Sequence, residues 1–186
     1  MREILLVVDP QNDFINGVFG SKAAADTAGR IAKVLYDNLS KRRYSDVIYT
    51  MDTHKADEYE YSLESMKYKP HCIVNTKGWD VENSIASALQ KNHARRIEKG
   101  AFGCTELCDF LVAHFVDELS NGAVMIDIAG FATDVCVVST ALLLRSAFED
   151  LPITVNSALC AGTSAEMHAK ALDVMESCNI ETFRSF

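Results

Sequence analysis

The chain has 186 residues, of which 48% are apolar and 24% are charged, a composition typical of a soluble globular protein. That length supports one hydrophobic core, and we expect a single domain over residues 1–186. The net charge of −8 argues against nucleic acid as a partner, because phosphate binding needs a basic surface. Apolar runs stay below the ~18 residues of a membrane span, so we expect no membrane association.

The cysteines, together with the start of the chain, indicate the cellular compartment in which the protein is expected. Their number is even, but we recognise no secretion signal, since the apolar start of the chain is too short for a signal-peptide core. We therefore expect reduced thiols and a cytoplasmic location. Five of the six are expected to be small buried apolar residues. The six are Cys72, Cys104, Cys108, Cys136, Cys160 and Cys178.

Strand-like and helical segments alternate along the chain. Helical spacing of apolar residues predicts helices over 21–42, 79–92, 105–119, 134–148 and 164–178. Short apolar runs predict strands over 3–8, 46–51, 94–99, 123–130, 152–155 and 180–183. This alternation indicates an α/β fold, a three-layer arrangement with a six-stranded, mainly parallel sheet and helices on both faces. The polar segment 52–78 is too long for a simple connection, and such loops are usually functional.

Polar side chains follow four of the predicted strands. Asp9 ends the first strand, Asp52 and His54 follow the second, Lys99 ends the third, and Cys136 follows the fourth. Sheets of this class bind ligands at the carboxyl ends of their strands. In the common strand order 3-2-1-4-5-6, strands one and four are neighbours, which would place Asp9 beside Cys136.

Each of these residues also has an ordinary structural explanation. An Asp after a strand often caps the next turn, a lone Lys is usually solvated, and a Cys in the first turn of a helix is usually inert. Together on one edge, they favour a reactive site. A helix N-terminus and an ammonium favour the thiolate of Cys136, and a carboxylate can accept and return its proton. Backbone N–H groups before Cys136 could bind an oxyanion.

A metal site is the second hypothesis for this edge. Asp52 and His54 point the same way on an extended segment, His71 closes the long loop, and Glu64 lies between them. Carboxylate and imidazole ligands suit zinc, iron or manganese. For Glu64, a solvated loop acid is nearly as good an interpretation.

Ordered motifs along the chain resemble those of the isochorismatase-like cysteine hydrolases, and most closely the nicotinamidase/pyrazinamidase group. The resemblance runs from the first strand to the last helix. The motifs are VVDPQNDF (7–14), MDTH (51–54), KPHC (69–72), EKGAF (98–102), GFATDVCV (130–137) and SAEMHAKALDVM (164–175).

This resemblance implies a role for each matching residue. Asp9, Lys99 and Cys136 match the family's catalytic triad. Ala132 and Cys136 match the positions whose backbone N–H groups form its oxyanion hole. Phe14 matches an aromatic residue that packs on the substrate ring, and Phe131, whose bond to Ala132 matches a cis peptide, is also expected to contact substrate.

The resemblance also implies one divalent metal ion. Asp52, His54 and His71 match the ligands of nicotinamidases, and Glu64 matches a fourth ligand of some of them. Zinc is the first expectation, with iron or manganese as alternatives. Two departures bear on the substrate: Thr53 stands where many members have Trp, and the segment after Lys99 lacks their Tyr-Ser-Ala-Phe.

The implied activity is hydrolysis of nicotinamide to nicotinate and ammonia through a thioester, in NAD salvage, by a homo-oligomer. The alternative within the family is a metal-free amidase of carbamoyl or ureido compounds, which would lack the Asp-x-His…His set. A non-catalytic small-molecule binder is a third hypothesis, against which the intact triad counts. A phospho-acceptor receiver domain is a fourth, but it needs adjacent acids after the first strand, where this chain has Asp9-Pro10.

Overall fold

The computed structural model describes residues 1–183. Strands and helices alternate along the chain, with two four-residue helices near the carboxyl ends of the first two strands. In order, the elements are β1 (Arg2–Val8), α1 (Asn12–Ile15), α2 (Lys22–Lys41), β2 (Asp46–Asp52), α3 (Ala56–Tyr59), α4 (Asn83–Lys91), β3 (Arg95–Lys99), α5 (Thr105–Ser120), β4 (Val124–Phe131), α6 (Val138–Ala147), β5 (Ile153–Ala161), α7 (Ala165–Ser177) and β6 (Glu181–Phe183).

The six strands form one parallel sheet in the order β3-β2-β1-β4-β5-β6. Both the fold class and the predicted strand order are confirmed. Asp52 at the end of β2 pairs with Lys99 at the end of β3, and Val8 at the end of β1 pairs with Gly130 in β4. A Cβ at Gly130 would lie 2.1 Å from the Val8 carbonyl oxygen, so the backbones of β1 and β4 meet too closely for a side chain there.

Alternating residues of the central strands supply the two cores on either side of the sheet. Ile4, Leu6 and Val8 of β1 pack with α5, α6 and α7, while Leu5 and Val7 pack with α2 and α4. Because both faces are covered, β1 must be apolar at every position, as its sequence indicated.

Local signals set where the long helices start and stop. Ser21 accepts a hydrogen bond from the Ala24 N–H and begins α2, which ends at Arg42 in a left-handed conformation. Ser164 caps α7 in the same way by accepting from the Met167 N–H. Both starts agree with the sequence prediction.

Two predicted elements were wrong in extent. Helix α4 begins at Asn83 rather than at residue 79, because Glu82 caps it and the residues before Glu82 pair with the β1–α2 connection. Strand β5 continues to Ala161 rather than stopping at 155. Its polar middle resembled a turn, but Cys160 and Ala161 still pair with Gly130 and Phe131 beyond a shift in register.

The segment 52–78 is a long connection with little regular structure, as predicted. It contains α3 and one short 3-10 turn, Glu64–Met66. Within residues 1–183, no helix combines the length and the apolar character needed to cross a membrane.

Candidate active site

Asp9 and Lys99 form a buried ion pair at the carboxyl edge of the sheet. Their atoms Oδ2 and Nζ lie 2.8 Å apart, and neither side chain is exposed to solvent. The Thr50 hydroxyl donates to Asp9 Oδ1 at 2.6 Å and accepts from the Asp9 backbone N–H at 3.1 Å. Lys99 is held from the other side, because Nζ also donates to the Ala101 carbonyl at 2.9 Å. Thr50 of the neighbouring strand β2 therefore fixes the direction of the Asp9 carboxylate, and the loop after β3 fixes that of the Lys99 ammonium.

Cys136 completes this trio from the turn after β4. The turn (Thr133–Val137, hereafter the cysteine turn) is one wide π-helical turn that precedes α6, where the sequence predicted a plain helix from 134. The Cys136 sulfur lies 3.6 Å from Lys99 Nζ and within hydrogen-bonding reach of the Asp9 carboxylate. The structure thus brings Asp9, Lys99 and Cys136 together around the Lys99 ammonium.

The Lys99 ammonium lies beside two acidic groups, the Asp9 carboxylate and the Cys136 thiol. Burial raises the pKa of Asp9, and Lys99 counteracts part of that rise. Burial and the charge of Asp9 raise the pKa of Cys136 well above its usual range, and the Lys99 ammonium, which we expected to favour the thiolate, offsets only part of that rise. Burial lowers the pKa of Lys99, but the charge of Asp9 outweighs it and raises that pKa, so the lysine stays protonated. The proton left between carboxylate and sulfur can move from one to the other, as a proton relay requires.

A second cluster adjoins this trio. Asp52, His54, Glu64 and His71 each offer one ligand atom, and these atoms all lie within 4.8 Å of one another. The Asp52 carboxylate oxygen lies 3.0 Å from His54 Nε2 and 3.3 Å from His71 Nε2. Glu64 closes the group, with His71 Nε2 at 3.4 Å from its nearer oxygen. Glu64, which sequence alone left between two interpretations, thus lies inside the cluster.

Hydrogen bonds outside the cluster orient its members. His71 Nδ1 lies 2.8 Å from the Lys69 carbonyl, an acceptor that requires the proton on Nδ1 and leaves Nε2 toward the cluster. The amide of Gln11, which is completely buried, accepts from the Asp52 N–H and donates to the Asp52 carbonyl, each at 2.8 Å. Gln11 therefore fixes the end of β2 against the end of β1.

The donor set of this cluster fits a divalent cation. Two imidazole nitrogens and two carboxylates are ligands that zinc, iron and manganese accept. The cluster also attracts positive charge: burial lowers the pKa of His71, but Asp52 and Glu64 outweigh that effect and raise it to about 10. Burial alone would raise the pKa of Asp52, yet the two imidazoles and Lys99 hold it below its usual range.

Cys136 of the trio and Asp52, Glu64 and His71 of the cluster line one pocket of about 410 Å³, counting space open to solvent. Phe14 lines it, as the resemblance implied. Phe19, whose ring centroid lies 4.9 Å from that of His71, and Phe102, which meets Tyr68 edge-on at 6.1 Å, form its outer rim. The lining residues are Phe14, Phe19, Asp52, Glu64, Tyr68, His71, Phe102, Ala132, Val135, Cys136 and Thr163.

One predicted contact is not found. Phe131 is 1% exposed and packs in the core with α2 and α4, away from the pocket lining. Its bond to Ala132 is cis, as the resemblance implied, and Ala132 rather than Phe131 lines the pocket. As a strand residue, Phe131 points to one face of the sheet, while the pocket opens at the edge.

Some residues of the site were missed from the sequence, among them Thr50, Phe19 and Phe102. Thr50, which orients Asp9, had one available signal: it is a polar residue inside an otherwise apolar strand. Phe19 had none, and Phe102 belongs to the motif EKGAF (98–102) but received no role, because the course of both connections depends on contacts with other segments.

Comparisons with known proteins agree with this geometry. The family model of the isochorismatase domain matches residues 3–185. The nicotinamidase/pyrazinamidase of Mycobacterium tuberculosis is 31% identical over 183 residues, which are 95% of this chain and 96% of that protein.

Two solved structures share the fold. The nicotinamidase/pyrazinamidase of Bacillus subtilis superposes with a TM-score of 0.81 at 20% identity, covering 99% of this chain and all of that one. The pyrazinamidase of Pyrococcus horikoshii, solved in complex with zinc, gives 0.75 at 22% identity and covers both chains completely. The match over nearly the whole length confirms the resemblance carried by the motifs: this chain belongs to the isochorismatase family.

Proposed function

We propose that this protein is a cysteine amidohydrolase that converts nicotinamide to nicotinate and ammonia, a reaction of NAD salvage. The observation that carries the proposal is the shared pocket. Cys136, which lies beside the Asp9–Lys99 pair, lines this pocket together with Asp52, Glu64 and His71 of the cluster. The relative from Mycobacterium tuberculosis, which carries this activity in its name, supports the choice of substrate.

In the first half-reaction, we assign the nucleophile to Cys136 and the base to Asp9. The thiol proton passes to Asp9, the sulfur attacks the amide carbon, and the carbonyl electrons move onto oxygen. Backbone N–H groups of Ala132 and Cys136 are proposed to stabilise that oxygen. Asp9 then returns the proton to nitrogen, the C–N bond breaks, and ammonia leaves a thioester on Cys136.

The second half-reaction uses the same groups. Water gives a proton to Asp9 and its oxygen adds to the thioester carbon. The C–S bond breaks, the sulfur recovers the proton from Asp9, and the carboxylic acid is released and loses its remaining proton to solvent as nicotinate. Lys99 remains charged throughout, so it offsets the negative charge as it moves between carboxylate and sulfur.

We propose Asp52, His54, His71 and Glu64 as ligands of one divalent ion, zinc in the first place and iron or manganese as alternatives. When bound, such an ion supplies a Lewis-acid contact for the ring nitrogen of the substrate, which is a positioning role. Phe14 is proposed to pack on the ring, since it lines the pocket beside His71 at a centroid distance of 5.7 Å.

The test is release of ammonia from nicotinamide, pyrazinamide and a set of small ureido compounds by the purified protein. We expect turnover of the two ring amides and little of the ureido compounds. Hydrolysis of ureido compounds with none of nicotinamide would overturn the proposal and favour a carbamoyl amidase. No ammonia from any of them would favour a non-catalytic binder.

A further inference from the structure

The cysteine turn is fastened to the segment that leads into α7. The Asp134 carboxylate accepts two hydrogen bonds from Thr163, one from its backbone N–H at 2.7 Å and one from its hydroxyl at 2.5 Å. Asp134 lies two residues before Cys136, and Thr163 lies just after β5. The mechanism proposed above uses neither side chain.

A second contact holds the neighbouring residue of the turn. The Thr133 hydroxyl lies 2.8 Å from His168 Nδ1, and Thr133 is completely buried. Between the two contacts stands Gly162, where a Cβ would lie 2.7 Å from an Asp134 carboxylate oxygen and 2.9 Å from the His168 Cβ. The close approach of α7 to the cysteine turn therefore requires glycine at 162, and it brings Thr163 into contact with Asp134.

These contacts act on the part of the chain that faces the developing oxyanion. Residues 132–135 lead directly into Cys136, so a displacement of Asp134 also displaces the backbone N–H groups of Ala132 and Cys136 proposed to bind that oxygen. A misplacement of about 1 Å in an active site can reduce the rate about 100-fold. The fixed position of the turn matters most in the transition state, when the oxygen carries its charge.

We propose that Asp134 and Thr163 are positioning residues that hold the oxyanion-binding backbone of the cysteine turn in place. This inference rests on the proposed function. If it is right, loss of the Asp134–Thr163 contact raises the free energy of the transition state more than it weakens the binding of substrate. Thr163 also lines the pocket, so the experiment must separate a positioning role from a direct contact with substrate.

The experiment compares Asp134→Ala, Thr163→Val and Thr163→Ser with the wild type, using nicotinamide kinetics and two inhibitors. Nicotinaldehyde adds the Cys136 sulfur to its carbonyl carbon, and the oxygen that gains the electron pair occupies the oxyanion position. Nicotinate, the product, binds the same pocket without that addition. The ratio of the two inhibition constants therefore reports on the addition step, in which the sulfur attacks and the oxygen enters the oxyanion position.

We expect Thr163→Val to lower kcat about 10- to 100-fold with KM changed less than about threefold. Nicotinaldehyde should lose affinity by a similar factor, while nicotinate binds as before. Asp134→Ala, which removes both hydrogen bonds, should have at least the same effect. Thr163→Ser keeps the hydroxyl and should retain activity within about threefold. Asp150→Ala, an exposed acid just before β5 at the opposite edge of the sheet, is the matched control.

The outcomes are distinct. Equal losses of nicotinate and nicotinaldehyde affinity would identify Thr163 as a substrate contact and overturn the positioning role. Unchanged kcat in Thr163→Val would also overturn it. If circular dichroism shows that Asp134→Ala does not fold, the two Thr163 variants decide the question. Absence of nicotinamide turnover in the wild type would instead overturn the proposed function itself.

Discussion

The Asp9 carboxylate and the Lys99 ammonium lie 2.8 Å apart at the ends of two different strands, both fully buried. A buried pair of this kind is weak evidence for stability, because removing two charges from water costs several kcal/mol per ion. Its position beside Cys136, with Lys99 Nζ 3.6 Å from the sulfur, gives the pair a chemical use. It keeps one mobile proton and one fixed positive charge next to a nucleophile.

Replacing Cys136 with Ala should abolish turnover and leave the fold intact, because only the nucleophile is lost. We expect kcat to fall by at least about 10³-fold, measured as ammonia release from nicotinamide. Cys160→Ala is the matched control, since Cys160 is equally buried but lies in β5 outside the pocket. Activity of Cys136→Ala near that of the wild type would rule out the thioester mechanism.

Asp9→Asn should also abolish turnover, because an amide cannot accept the thiol proton. The same change should lower the pKa of Cys136, since the charge of Asp9 and its hydrogen bond raise that pKa and Lys99 remains to stabilise the thiolate. Alkylation of Cys136 by iodoacetamide should therefore begin at lower pH in the variant.

The measurement is the pH profile of Cys136 alkylation, followed by mass spectrometry of the modified peptide. A variant that is inactive yet alkylated at lower pH separates loss of the proton relay from loss of the nucleophile. A profile that stays unchanged or shifts to higher pH would contradict the expected effect of the Asp9 charge on the pKa of the thiol.

Lys99→Met should destabilise the protein by about 3–5 kcal/mol, because it leaves the buried Asp9 carboxylate without its counter-ion. Urea unfolding of the variant and the wild type at neutral pH measures this. The double variant Asp9→Asn with Lys99→Met should recover part of the loss, since it removes both charges. A double variant less stable than the sum of the two single changes would contradict a coupled ion pair.

His54→Ala should reduce the metal content of the purified protein and raise KM for nicotinamide, while Cys136 stays reactive toward iodoacetamide. Benzamide, which lacks a ring nitrogen, should be a poor substrate with or without metal. His114→Ala, an exposed residue of α5, is the control. Metal content by plasma emission spectroscopy and nicotinamide kinetics before and after a chelator are the measurements.

The result that would contradict the metal site is separate from the result that would contradict the triad. A wild-type protein that purifies without metal, and whose rate neither chelation nor added zinc, iron or manganese changes, would contradict it. Ammonia release under those conditions would still support the roles of Asp9, Lys99 and Cys136. A metal-free amidase would then describe the site better.

The sequence by itself determined the sheet and the edge on which the chemistry lies. The unbroken apolar run of β1 requires cover on both faces, and alternation of strands with helices makes the sheet parallel. Parallel strands end at one edge, so Asp9, Asp52 and Lys99 had to be neighbours once the strand order was known. The motifs around these residues also identified the family.

Only the tertiary structure decided which groups face the pocket and which of them are protonated. Glu64, Phe19 and Phe102 lie in connections whose path depends on contacts between distant segments, such as the ring of Phe102 against Tyr68. Phe131 belongs to the core because its direction is fixed by the pleat of β4 and not by its place in a motif. The protonation of Cys136 likewise depends on burial and on its distance from Asp9 and Lys99, quantities that no run of neighbouring residues encodes.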